Sequence, residues 1–171
     1  MGGYLENVNF LVVDDQEFIR VLIRQVLGAF GCQNIMEAAN GDQAWDSIGK
    51  NKPDIILLDW EMQPSNGLEF TMRLRTHPNS PDPFVPIIMM TGHGEFDRVI
   101  EARDAGINEY VVKPVSANSL FSRIQAVIEN PRSFVRLSSY FGPDRRRHTV
   151  RVEVERRINP ANSSLKMNNK K

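Results

Sequence analysis

The chain has 171 residues, of which 41% are hydrophobic and 25% are charged, a composition typical of one globular domain with an appendage. Its 21 basic and 21 acidic residues cancel overall but not locally: residues 1–130 hold 10 basic and 18 acidic residues, and residues 131–171 hold 11 basic and 3 acidic ones. This asymmetry predicts an acidic folded domain over residues 7–130 and a basic C-terminal extension over residues 131–171. It argues against a uniformly nucleic-acid-binding protein.

Cysteine content and hydropathy indicate the compartment. The single cysteine, Cys32, excludes an intrachain disulfide and favours a reducing environment. No apolar run approaches the roughly 18 residues that a membrane helix needs. The N-terminus carries no basic residue before Arg20, unlike a secretory signal peptide. We therefore expect a soluble, cytoplasmic protein that makes no membrane contact.

Five short apolar runs predict buried strands, and the segments between them have helical periodicity. The runs are Phe10–Val13, Ile35–Ala38, Ile55–Leu58, Pro86–Met90 and Tyr110–Val112. In the first helix the predicted buried stripe comprises Phe18, Val21, Leu22, Val26 and Leu27. Asn40 and Ser116 are candidate helix caps, and Gly31 and Gly106 stand where helices should end. Such alternation predicts an α/β fold, a doubly wound five-stranded parallel sheet with helices on both faces.

The segment after Asn130 departs from this pattern. It is rich in Arg, Ser and Asn and is interrupted by Pro131, Gly142, Pro143 and Pro160, so we expect it to be partly disordered. Within it, Thr149–Ile158 alternates valines with charged residues, which predicts a strand. That strand could add to the sheet edge of a partner or of a second copy in a homodimer.

Acidic residues follow two of the predicted strands. Asp14 and Asp15 end the first strand and Asp59 ends the third, so the three carboxylates should converge at the carboxyl edge of the sheet. Carboxylates brought together there are best tolerated around a cation, and all-oxygen ligation favours Mg²⁺. Thr91 and Lys113 end the fourth and fifth strands, where a hydroxyl and an ammonium could stabilise a transferring phosphoryl group. Each residue alone reads as a turn or capping residue, whereas the set predicts a functional site.

The motifs around these residues resemble the CheY-like receiver domains of two-component response regulators, over about Asn7 to Glu129. The motifs are Val12-Val13-Asp14-Asp15, Leu57-Leu58-Asp59-Trp60-Glu61-Met62, Asn66-Gly67, Met90-Thr91-Gly92 and Tyr110-Val111-Val112-Lys113-Pro114. The resemblance implies a flavodoxin-like (βα)5 fold with strand order 2-1-3-4-5.

The resemblance also implies a role for each site residue. Asp59 would be the phosphoacceptor, with Mg²⁺ held by Asp14, Asp15, Asp59 and the backbone carbonyl of Glu61. Thr91 and Lys113 would contact phosphoryl oxygens. Tyr110 would be the aromatic switch that remodels the face formed by the fourth helix, fifth strand and fifth helix, where a downstream protein target binds.

One departure from the family pattern concerns the loop after Asp59. The family commonly has Pro directly after the Met of this loop, whereas here Gln63 intervenes before Pro64, although Gly67 keeps its distance from Asp59. We expect intact chemistry with a slightly altered loop. Glu61 and His93 should flank the approach of water and set the lifetime of the phosphoaspartate, although His93 could equally be an ordinary surface histidine.

The function predicted from the sequence is a stand-alone receiver, a phosphoacceptor signalling domain and not a conventional enzyme. A histidine kinase or histidine phosphotransferase would phosphorylate it, with self-catalysed transfer and hydrolysis, and phosphorylation would switch its protein contacts. Alternatives are a phosphorelay intermediate or phosphate sink, and a regulator whose basic tail contacts nucleic acid, which we consider the weaker reading because the tail shows no helix-turn-helix pattern. A flavodoxin-like nucleotide binder fits the acidic trio and Lys113 less well.

Overall fold

The computed structural model describes residues 4–92 and 96–145. Five strands alternate with five helices, in the order β1 (Asn9–Val13), α1 (Glu17–Ala29), β2 (Asn34–Ala38), α2 (Gly41–Asn51), β3 (Ile55–Asp59), α3 (Gly67–Thr76), β4 (Ile87–Thr91), α4 (Phe96–Ala105), β5 (Glu109–Val112) and α5 (Ala117–Glu129). Within the described part of the chain, no helix is long and apolar enough to cross a membrane.

The five strands form one parallel sheet in the order β2-β1-β3-β4-β5, which confirms the predicted fold class and strand order. Every residue of the neighbouring strands β3 and β4 is buried, as expected for strands covered on both faces. Helices α1 and α5 cover one face, with Ile23, Leu27, Leu120, Ile124 and Val127 in its core. Helices α2, α3 and α4 cover the other, with Ala44, Ile48, Phe70, Leu74 and Ala102.

The predicted helix boundaries are confirmed at the level of individual hydrogen bonds. The side chain of Asn40 accepts from the backbone N–H of Gln43, and the hydroxyl of Ser116 accepts from the N–H of Ser119. Gly31 and Gly106 follow helices with φ of 89° and 101°, a left-handed conformation that favours glycine.

The predicted buried stripe of α1 is wrong in part. Phe18 is 74% exposed and Leu22 is 39% exposed, whereas Ile23 and Leu27 are the buried residues of this helix. Ile19 and Val26 pack beside them. Because α1 carries apolar residues at nearly every position from Phe18 to Ile23, periodicity alone selected a face adjacent to the one that the sheet buries.

An antiparallel hairpin follows the five-stranded sheet and was not predicted. It consists of β6 (Phe134–Leu137) and β7 (Tyr140–Pro143), joined through Ser138 and Ser139. The rings of Phe84, Phe134 and Phe141 contact one another with centroids 5.3–5.7 Å apart, which packs the hairpin onto the loop before β4. The strand predicted over 149–158 and the disorder expected of the terminal segment lie outside the described residues.

Candidate functional site

The carboxyl ends of four strands bring the predicted site residues to one edge of the sheet. Asp14 and Asp15 directly follow β1, Asp59 and Thr91 are the last residues of β3 and β4, and Lys113 directly follows β5. Parallel pairing places these strand ends side by side, since β1 pairs with β3, β3 with β4, and β4 with β5. The structure therefore brings together all five residues.

Asp59 is a buried acid with one paired carboxylate oxygen and one that is unpaired in the part of the chain that the structure describes. Its side chain is 3% exposed, and Lys113 Nζ lies 2.7 Å from its Oδ1. Its other oxygen, Oδ2, is buried and has no hydrogen-bond partner among the described residues. Burial raises the pKa of Asp59, assisted by the nearby charge of Asp14, although the hydrogen bond from Lys113 opposes that shift. Oδ2 is thus a desolvated oxygen whose lone pairs are free to receive a cation or an electrophile.

Asp14 is fully buried and is held from three directions. Its Oδ1 accepts a hydrogen bond from the backbone N–H of Gln16 at 2.9 Å, and its Oδ2 accepts one from Lys113 Nζ at 3.1 Å. Arg20 donates to the backbone carbonyl of Asp14 at 2.8 Å while pairing with Glu37 at 3.3 Å. Arg20 is a positioning residue of this site that the sequence motifs did not identify.

Asp15 completes the acidic cluster from the solvent side. One carboxylate oxygen from each of Asp14, Asp15 and Asp59 lies within 4.8 Å of the others, and Asp15 is exposed where the other two are buried. An acidic cluster with one buried, unpartnered oxygen and one solvent-facing member fits a hydrated Mg²⁺, which accepts few protein carboxylates and keeps several waters.

Lys113 is the cation that balances these acids. Burial opposes its charge, but the hydrogen bonds and charges of Asp59 and Asp14 outweigh burial and raise the pKa of Lys113. Lys113 is therefore a fixed positive charge at neutral pH. One ammonium facing three carboxylates leaves the cluster with a net negative charge, to which a divalent cation is complementary.

Thr91 and Tyr110 lie beside this cluster, on the α4 side. Thr91 is 3% exposed, and its backbone carbonyl accepts from the N–H of Lys113 at 2.7 Å. Tyr110 is half-buried against the core, and the guanidinium of Arg123 lies 5.5 Å from its ring centroid. Thr91 and Tyr110 line the same narrow space under α4, together with Trp60 and Val99.

Glu61, another predicted site residue, lies at the rim of the site. Glu61 is exposed, and its carboxylate lies 3.8 Å from the guanidinium of Arg98 on α4. Arg98 also lies 5.6 Å from the ring centroid of Trp60, so α4 contacts the loop that follows Asp59. Sequence reasoning did not identify Arg98, because no motif connects it to this loop. His93 lies outside the described residues.

The loop from Asp59 to α3 closes on Gly67, where a side chain cannot fit. A Cβ on Gly67 would overlap the backbone carbonyl oxygen of Asp59 and lie 3.2 Å from Trp60 Cα. The N–H of Gly67 donates to the carbonyl of Trp60 at 2.9 Å, and Asn66 caps α3 through a reciprocal capping box with Glu69. Gln63 and Pro64 thus lie within a loop whose two ends, Trp60 and Gly67, are joined by this hydrogen bond.

Comparisons with known proteins agree with this geometry. The family profile described as response regulator receiver domain matches residues 10–125. A chemotaxis protein CheY homolog of Campylobacter jejuni is 36% identical over 122 residues, covering 71% of this chain and 92% of that protein. The sporulation initiation phosphotransferase F of Bacillus subtilis is 34% identical over 114 residues, covering 67% of this chain and 88% of that protein.

Solved structures show the same fold. The chemotaxis protein CheY4 of Vibrio cholerae superposes with a TM-score of 0.64 at 29% sequence identity, covering 70% of this chain and 98% of that one. The chain therefore belongs to the response regulator receiver family, the CheY-like signalling domains of two-component systems.

Proposed function

We propose that the protein is a phosphorylation-switched receiver in which Asp59 accepts a phosphoryl group from a histidine kinase or histidine phosphotransferase. The observation that carries this proposal is the state of Asp59: one buried oxygen is held by Lys113 at 2.7 Å, and the other has no hydrogen-bond partner among the described residues. In the transfer, an Asp59 oxygen would form a bond to phosphorus while the bond from phosphorus to the donor imidazole nitrogen breaks. The carboxylate becomes an acyl phosphate and the donor histidine leaves as imidazole.

The side chains around Asp59 would stabilise the charge on the moving phosphoryl group. Lys113 would exchange its contact with Asp59 Oδ1 for a phosphoryl oxygen, and the Thr91 hydroxyl would donate to another. Asp14, Asp15, Asp59 and the backbone carbonyl of Glu61 would hold Mg²⁺. When bound, the ion would neutralise negative charge that otherwise repels an incoming phosphate.

The switch would run through the space under α4. Movement of Thr91 toward the phosphoryl group would free room beside Tyr110, because both residues line that space. A turn of the Tyr110 ring into it would change the surface formed by α4, β5 and α5, where a downstream protein target would bind. Glu61 and His93 would set how quickly water hydrolyses the phosphoaspartate.

A phosphorylation assay with a small-molecule donor tests the proposal. Incubation with acetyl phosphate and Mg²⁺ should add one phosphoryl group to the wild-type chain, measured by intact mass spectrometry. Asp59→Asn should abolish this addition, whereas Asp46→Asn, at an exposed position on α2, should not. Phosphorylation that persists in Asp59→Asn would refute the assignment.

A second candidate function is a relay, in which Asp59 passes its phosphoryl group on to another histidine. It is favoured by the similarity to a protein named a phosphotransferase, which is nearly as great as the similarity to the chemotaxis homolog. Incubating the phosphorylated chain with an unphosphorylated histidine phosphotransfer domain distinguishes the two. A relay transfers its phosphoryl group to the histidine of that domain within minutes, whereas a terminal receiver loses the phosphoryl group to water as free phosphate.

A further inference from the structure

The hairpin formed by β6 and β7 is docked on the C-terminal end of α4. The guanidinium of Arg145, the second residue after the hairpin, lies 3.3 Å from the carboxylate of Asp104. Gly142 approaches Gly106 so closely that a Cβ on Gly142 would lie 2.9 Å from Gly106 Cα. The hairpin therefore contacts both the last turn of α4 and the residue that terminates it.

A buried arginine also contacts the region where the hairpin meets the end of α4. Arg75, 3% exposed, donates to the carbonyl of Gly106 at 3.0 Å and to the carbonyl of Pro83 at 2.8 Å. Its guanidinium lies 5.1 Å from the ring centroid of Phe134 in β6. One side chain thus links the end of α4, the loop before β4 and the hairpin.

The opposite end of α4 contacts the candidate phosphorylation site. Arg98 reaches Glu61 and Trp60, the two residues after Asp59, and Val99 shares the space lined by Thr91 and Tyr110. Helix α4 has ten residues and is therefore about 15 Å long, so it spans from the loop after Asp59 to the hairpin. A displacement of α4 as a rigid body near Arg98 would also move Asp104 and Gly106, where the hairpin is docked.

We infer that the hairpin is an intramolecular partner of α4 whose docking is coupled to the phosphorylation state of Asp59. The inference rests on the proposed function. The docked contacts belong to the unmodified chain, so they stabilise the unmodified position of α4 and weaken when a phosphoryl group displaces it. Because coupling is reciprocal, docking must in turn oppose the phosphorylated state.

Hydrogen exchange of the full chain tests the coupling directly. Backbone amides of residues 134–143 are compared with and without beryllofluoride and Mg²⁺, beryllofluoride being a stable analogue of the phosphoryl group on a carboxylate. We expect faster exchange in the hairpin when the analogue is bound. Unchanged or slower exchange with the analogue bound would overturn the inference while leaving phosphorylation of Asp59 intact. A chain that neither binds the analogue nor accepts phosphate from acetyl phosphate would fail the proposed function itself.

A matched pair of variants tests the reciprocal effect, that of hairpin docking on the phosphorylated state. Arg145→Gln removes the ion pair with Asp104, whereas Arg136→Gln removes an equal charge from the hairpin at an exposed residue stacked on Phe141. Exposed ion pairs are weak, so we expect Arg145→Gln to tighten beryllofluoride binding about two- to fivefold. Trp60 fluorescence reports the binding. Arg136→Gln should leave it unchanged.

A second variant removes the docking by steric overlap, in case the loss of one exposed ion pair is too small to measure. Gly142→Ala should undock the hairpin, because its Cβ would meet Gly106 and the Tyr140 hydroxyl, and it should tighten binding more than Arg145→Gln does. Amide hydrogen exchange in strands β1 to β5 shows whether the domain of each variant remains folded. If Arg145→Gln and Gly142→Ala both bind the analogue as Arg136→Gln does, the hairpin and the site are not coupled.

Discussion

Lys113 holds Asp59 through a contact of 2.7 Å that joins the ends of two strands, β5 and β3, which are not neighbours in the sheet. The same ammonium lies 3.1 Å from Asp14, at the end of β1. Both acids are buried, so their charges would repel strongly without it. Burying both acids around one ammonium costs folding stability, and this cost has a measurable consequence.

Asp59→Asn should stabilise the fold at neutral pH when divalent cations are removed. Burial raises the pKa of Asp59 in the folded state, so its ionisation favours unfolding, and stability is lost as pH rises from the unfolded pKa of about 3.9 through the raised folded value. We therefore expect the free energy of unfolding at pH 7 to be higher in Asp59→Asn than in the wild type. Urea denaturation measures it, and the gain should vanish below about pH 4, where Asp59 is protonated in both states.

The matched control for that gain is Asp46→Asn, which removes an exposed charge. It should change stability by less than about 0.5 kcal/mol. If Asp59→Asn were less stable than the wild type at pH 7, the contact with Lys113 would outweigh the cost of burial.

Added Mg²⁺ should stabilise the wild-type chain through the acidic cluster. A ligand at ten times its dissociation constant contributes about 1.4 kcal/mol to the free energy of unfolding. Asp15→Asn should reduce this increment without harming the fold, because Asp15 is exposed whereas Asp14 is fully buried. Denaturation curves with Mg²⁺ and with a chelator measure the increment. An equal increment in wild type and Asp15→Asn would show that the ion acts elsewhere.

The sheet and the acidic cluster could be predicted because their signals are local. Each strand of the sheet is a short apolar run, and Asp14, Asp59, Thr91 and Lys113 stand where those runs end. Parallel pairing then brings the ends together with no further information. The face of α1 could not be fixed in this way, because Phe18 and Ile23 are both apolar and only the packed sheet determines which is buried.

The hairpin and the contacts of α4 depend on tertiary structure. Strands of four residues are too short to be stable alone, and Phe134 and Phe141 form a core only with Phe84, some fifty residues earlier. The long side chains of Arg98 and Arg20 contact Trp60 and the carbonyl of Asp14, and the spacing of residues in the sequence does not reveal such contacts. These residues became visible only with the fold.

Gly67→Ala should damage the loop that carries Asp59. The added methyl group would overlap the carbonyl oxygen of Asp59, and the hydrogen bond from Gly67 to Trp60 prevents the backbone from retreating. We expect a loss of about 1–3 kcal/mol in stability and slower phosphorylation by acetyl phosphate. Gly28→Ala is the control: nothing lies within 4 Å of its Cβ, and alanine at this position in the last turn of α1 should leave the fold at least as stable as the wild type. A fully active Gly67→Ala variant would contradict this account of the loop.

Two truncations should separate the hairpin from the sequence that follows it. Ending the chain after residue 145 keeps every described contact of the hairpin and should leave the free energy of unfolding within about 0.5 kcal/mol of the full chain. Ending it after Asn130 removes Tyr140, which is 7% exposed, and uncovers Phe84 and Arg75, so we expect a loss of about 1–3 kcal/mol. Urea denaturation compares the three chains at equal concentration. If the shorter truncation product were as stable as the longer one, the hairpin would be a passive attachment, and the folded domain would end at α5.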